Sequence, residues 1–179
     1  VEGEPTGGEH VWHDPADRVG ALPPERDQVE ALPGQAGDPV DVRVEVIGVG
    51  SFPRTAVVGG GDWGGFPLSM ASYQLVFPGG QTVIIDTALD ENAGKAFGLA
   101  FDTAAYTRMN TAMTVAAEIL LTHEHTDHIG GILSHPDQAA IASHLALTAE
   151  QLAAAGRYAG FAVPPGALAA AEPLAYEVM

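Results

Sequence analysis

The sequence predicts a mixed α/β domain. Three observations carry that expectation. Strand-length segments with β-branched character stand at residues 42–47, 72–77 and 81–87. A stretch at 103–116 places Ala105, Met109, Ala112 and Met113 near helical spacing. A short, mostly apolar run at 117–122 then follows, as expected for a buried strand reached after a helical crossover.

Taken in order, residues 1–40 contain six prolines, six glycines and few large apolar side chains, which predicts an extended or disordered arm. His10 and His13 bracket Trp12 there and read as tail residues. Val40 opens the folded domain, 41–179, and Val42-Arg43-Val44-Glu45-Val46-Ile47 reads as its first strand. Residues 51–69 are too rich in glycine for a regular element and predict a long loop carrying Phe52, Trp63 and Phe66. Gly59-Gly60-Gly61 lacks the lysine and hydroxyl residue that a phosphate-binding loop needs. The strand at 72–77 turns through Pro78-Gly79-Gly80 into a second strand, 81–87, a hairpin signature. Helix 103–116 follows, its methionines read as core packing, then the strand at 117–122. Thr148-Ala149-Glu150-Gln151 is a capping-box pattern opening a helix that Gly156 can close, and residues 174–178 look strand-like.

The chemistry concentrates at Thr122-His123-Glu124-His125-Thr126-Asp127-His128, followed by Ile129-Gly130-Gly131. Three imidazoles and a carboxylate within six positions are a donor set that borderline divalent metals prefer, and such groups are costly to cluster without compensation. Residues two apart on an extended segment point the same way, so His123 and His125 can grip one ion. A helix starting at Asp127 would turn Asp127 and His128 toward a neighbouring position, where a second ion fits. The preceding strand puts the site at a strand's carboxyl end.

This stretch resembles the HxHxDH signature of the metallo-β-lactamase superfamily of metal-dependent hydrolases. The resemblance implies an αββα sandwich with a two-metal site at one edge. It assigns His123 and His125 to one metal and Asp127 and His128 to the other, with zinc expected and iron or manganese as alternatives. It also implies that Asp86, ending a β-branched strand, stands beside the metal loop and holds a ligand histidine by its second ring nitrogen. A turn aspartate is the plainer reading of Asp86. In this superfamily the loop between early strands helps choose substrate, which makes Trp63 and Phe66 candidate substrate contacts. Their alternative role is to pin the loop to the core.

The family pattern calls for later ligands, another histidine, a bridging aspartate and a last histidine. After His128 this chain has only His135 and His144, read as an exposed loop residue and a helix residue, and no aspartate beyond Asp137. With about 140 residues outside the arm, the expectation is the N-terminal half of the sandwich, cut or processed at both ends.

Composition narrows partners. A formal charge of −16, from 23 acids against seven basic residues, disfavours nucleic acid and anionic membrane surfaces. No apolar run approaches the roughly 20 residues a bilayer span needs. Without cysteine there are no disulfides and no thiolate ligands, which leaves the compartment open; the arm leans it toward export. No Ser-His-Asp or Cys-His arrangement competes with the metal. The expected function is hydrolysis by metal-activated water, with Asp127 both ligand and orienting acceptor, of a small ester, lactone or thioester. The alternatives are a non-catalytic metal-binding or structural fragment, and β-lactam or phosphodiester hydrolysis.

Overall fold

The computed structural model describes residues 36–155, 168 and 171–174. The arm up to residue 35, with His10, Trp12 and His13, lies outside them, as do Gly156 and residues 175–178; Leu174 stands outside any strand.

β1 (Asp41–Pro53) and β2 (Gly65–Val76) form a long antiparallel ribbon, paired from Asp41 with Val76 to Pro53 with Gly65 and bulged between Val46 and Gly48. The long loop expected at 51–69 is therefore corrected: only residues 54–64 lie outside the strands, opening with a 3-10 turn at Arg54–Ala56. Glycine misleads here because it serves close approach rather than a turn. A Cβ on Gly50 would stand 2.5 Å from Leu99 Cδ2, and one on Gly65 2.7 Å from Ser51 Oγ.

The expected hairpin follows. Gly79 and Gly80 have φ of +93° and +87°, a backbone only glycine adopts freely, and β3 (Thr82–Ile85) returns along β2. Next come α1 (Glu91–Ala96), the two-residue β4 (Ala100–Phe101) beside Gly48 and Val49, and α2 (Thr103–Met113). The Asp102 carboxylate accepts from Ala105 N–H at 2.9 Å and caps α2. That helix stops three residues short of the expected end, and β5 (Glu118–Leu120) joins β3 in parallel. The sheet order is β4-β1-β2-β3-β5. α3 (Thr126–Leu133), α4 (Gln138–Ala142) and α5 (Ala149–Ala154) complete the described elements, the last with the Thr148 and Gln151 capping box in place.

The core lies on one side of the sheet. Ile47, Ile84 and Ile119 are sealed against Met109 and Met113 of α2, Ile129, Ile132 and Leu133 of α3, and Ile141 of α4. On the other face Val42 and Tyr73 each keep 42% of their surface. Among the described residues there is a single sheet, so the second layer of a sandwich is not part of the architecture seen. No described helix is long and apolar enough to cross a membrane.

Candidate metal centre

Parallel pairing of β3 and β5 brings both strands to the same end, with Ile85 opposite Leu120. Two chain segments far apart in sequence therefore emerge side by side. Asp86 N–H donates to Leu120 O at 2.9 Å, and Thr122 N–H donates to the Asp86 carboxylate at 2.8 Å. Asp86 leaves its strand with φ +60° and Ala88 with φ +50°. For residues with a Cβ this left-handed conformation costs on the order of 1 kcal/mol each, so surrounding contacts must impose it.

The motif occupies the turn from β5 into α3. His125 is the extended N-cap residue and Asp127 sits in the first turn, where the helix dipole favours negative charge. His123 Nε2 and His125 Nδ1 are 3.1 Å apart, with the rings edge to face. The His123 and His128 rings are 3.9 Å apart between centroids. His128 lies between two carboxylates: Nδ1 is 2.9 Å from Asp86 Oδ2, and Nε2 is 3.5 Å from Asp127 Oδ2. Thr122 Oγ1 ties the cluster together, 2.9 Å from Asp86 Oδ2, 3.1 Å from His123 Nδ1 and 3.2 Å from His128 Nδ1.

Electrostatics follow from this packing. Burial works against a charged His128, but hydrogen bonds to Asp127 and Asp86 prevail and push its pKa up to about 9. Asp127 is held below the usual carboxylate range chiefly by its hydrogen bond with His128. Burial tends to raise Asp86, yet hydrogen bonds from His128 and Thr122 hold it low. Desolvation, then the neighbouring His128 and His125, keep His123 below the ordinary imidazole value, so it carries a lone pair at neutral pH.

The expected metal residues thus stand together with Asp86. Among the described residues, however, no three His, Cys, Asp or Glu side chains enclose a common point at which an ion could sit, because the donors are turned on one another. In kind the donors fit a borderline divalent ion: three imidazoles, one of them held neutral, and two ionised carboxylates around the third.

Trp63 and Phe66 are placed differently. Phe66 pairs across the ribbon with Phe52. Trp63 is 84% exposed at the ribbon tip, so it does not pin the loop to the core. Tyr73 pairs with Ile85, so residues 65–71 run past the strand end that carries Asp86, and the ribbon projects from the site's end of the sheet by about 20 Å.

The reading of His135 as an exposed loop residue is corrected. It is 5% exposed; its Nδ1 receives Asp137 N–H at 3.1 Å, and its Nε2 lies 3.2 Å from Asn110 O. Burial between α2 and the turn after α3 makes it a structural histidine. His144 lies just past α4 rather than on it, with Nδ1 3.1 Å from Met113 O. A cleft of about 490 Å³ beside His135, Tyr106 and Ser134 opens at the far end of α3 from the three motif histidines. Sequence reasoning missed Thr122; a hydroxyl at the strand end immediately before the first histidine was its only signal.

No protein-family model matches the chain, and no curated protein matches it. Among solved structures it resembles a quorum-quenching N-acyl homoserine lactone lactonase, with TM-score 0.50 and 14% identity over 67% of this chain and 50% of that one. It also matches a probable metal-dependent hydrolase from Staphylococcus aureus, with TM-score 0.48 and 18% identity over 68% of this chain and 50% of that one. At such identities the likeness to the lactonase is one of fold. The chain spans about half the length of the structures it matches.

Proposed function

We propose that this chain carries the metal-binding part of a metal-dependent hydrolase of the metallo-β-lactamase type, acting on a small ester, lactone or thioester. One observation carries the proposal: His123, His125, Asp127, His128 and Asp86 gather at the carboxyl ends of two adjacent parallel strands. The fold-level likeness to a lactone-cleaving enzyme supports the substrate class.

His123 and His125 would hold one ion, and Asp127 with His128 a second, zinc being the expected metal. When bound, the metal supplies Lewis acidity, making water a nucleophile near neutral pH and polarising the substrate's carbonyl. The protein's own groups do the rest. Asp86 fixes His128 by Nδ1, so Nε2 would be the ligating atom once metal binding displaces the proton it holds toward Asp127. Asp127, held ionised, can accept a hydrogen bond from the attacking water and orient it. Trp63 and Phe66, on the ribbon that projects past this end of the sheet, would offer apolar surface only to a substrate whose acyl part extends along that ribbon.

A second reading, a metal-binding or structural module without turnover, starts from the same cluster of donors at the strand ends. Zinc titration combined with assays of ester, lactone and thioester hydrolysis separates the two. Zinc binding with hydrolysis supports the first reading, and zinc binding without hydrolysis by the whole protein supports the second. A protein that binds no divalent metal contradicts the first reading and leaves only the structural form of the second.

A further inference from the structure

Thr87 is fully buried and belongs neither to the histidine motif nor to the core cluster of apolar side chains. Its hydroxyl lies between two backbone groups of α3 one turn apart. Oγ1 donates to His128 O at 2.8 Å and accepts from Ile132 N–H at 3.1 Å. These are residues i and i+4, the pair that an α-helix joins by its own hydrogen bond. Thr87 N–H adds a bond to the same His128 carbonyl at 2.7 Å.

The approach is close because α3 has no side chains where it meets this segment. A Cβ on Gly131 would collide with Thr87 O and stand 2.9 Å from Thr87 Cβ; one on Gly130 would stand 2.8 Å from Leu89 Cα. Gly131 N–H also donates to Ala88 O at 3.3 Å. The consequence falls on one residue. His128 is gripped at its ring by Asp86 and at its carbonyl by the next residue, Thr87. A helix held at position 128 by its backbone has little freedom to rotate that imidazole away from Asp86.

From this geometry we infer that Thr87 is a positioning residue, whose hydroxyl fixes the rotation of α3 and so aims the His128 ring between Asp86 and Asp127. The inference rests on the proposed metal site for its functional meaning, though not for its geometry. Thr87→Val keeps the branched shape and removes the hydroxyl, whereas Thr87→Ser keeps the hydroxyl and removes a methyl group.

Two readouts on the full chain test it. The first is the 15N spectrum of the His128 ring in metal-free protein, and the second is Zn2+ affinity measured by competition with a chromophoric chelator. Thr87→Val should shift the His128 ring signals and weaken zinc binding about 10 to 100-fold. Thr87→Ser should leave the ring signals in place and stay within about threefold in affinity, even where its melting temperature falls. Ring signals and affinity unchanged in a folded Thr87→Val would overturn the inference, leaving Thr87 a purely structural residue. If Thr87→Val does not fold, Thr87→Ser decides: loss of affinity by about tenfold or more contradicts a role for the hydroxyl, and retention supports it. Should the wild-type chain bind no zinc, the metal site fails as a reading, and the ring spectra alone decide the positioning role.

Discussion

Two glycine clusters in this molecule do opposite work. Gly130 and Gly131 sit in α3, where any Cβ would meet the backbone of residues 87–89. Gly59, Gly60 and Gly61 sit at the ribbon tip, where Gly59 and Gly60 have nothing within 4 Å of a Cβ position and Gly61 alone is crowded, at 2.9 Å by the backbone of Arg54 and Val58 within the same loop. Around the first cluster, contacts join residues some forty positions apart, from Asp86 and Thr87 to Thr122, His128 and Ile132. Around the second they are local: Val58 N–H to Arg54 O, Gly61 N–H to Val58 O, and an exposed Arg54–Asp62 pair at 3.9 Å. The donor cluster is thus built where the fold is over-determined. The candidate substrate-facing residue Trp63 is placed where little else depends on it.

The largest effect expected of this contrast is at Gly131. Gly131→Ala forces a Cβ into Thr87 O and to 2.7 Å from Met109 Cε, and should destabilise by about 3 kcal/mol, as overpacking at an unyielding backbone does. Gly59→Ala should stay within about 0.5 kcal/mol. Denaturant melts of both variants measure the difference; equal effects would erase the contrast.

Next comes Asp86. Asp86→Ala removes the acceptor for His128 Nδ1 and for Thr122 N–H, and should lower zinc affinity roughly 10 to 100-fold in a chelator competition. Unchanged affinity would reduce Asp86 to the turn aspartate of the plainer reading.

His135→Ala sharpens the boundary of the site. It strips a buried ring from Asp137 N–H and Asn110 O, so a stability loss of about 1 to 3 kcal/mol is expected with zinc affinity intact. A fall in affinity matching that of His123→Ala would make His135 a ligand.

Smallest in stability is Trp63→Ala. An 84% exposed side chain should cost less than about 0.5 kcal/mol. If the ribbon selects substrate, KM for apolar esters or lactones should rise with kcat little changed. A destabilisation above about 1 kcal/mol would show that the indole packs against the protein after all.

What the sequence made legible follows the same division. Local signals were readable: the Pro78-Gly79-Gly80 turn, the Thr148 capping box, the helical spacing that buries Met109 and Met113, and the strand leading into the histidines. Long-range contacts were not. Nothing local marks Gly48, Gly50 and Gly65 as strand residues, since their reason is the position of Leu99 and Ser51. Nor does His135 announce its burial, which depends on Asn110 from α2. The candidate site was readable as a donor set because His123, His125, Asp127 and His128 are near neighbours in sequence. Thr122 and Thr87 were not, because their partners lie on other segments.

The most direct test of the central claim is a zinc titration of the wild-type chain beside His123→Ala and Asp127→Ala, with fold monitored by circular dichroism. The account predicts that wild type binds zinc and that each variant, still folded, loses affinity by at least about tenfold. Wild type that binds no zinc, or variants that bind as tightly as wild type, would contradict it.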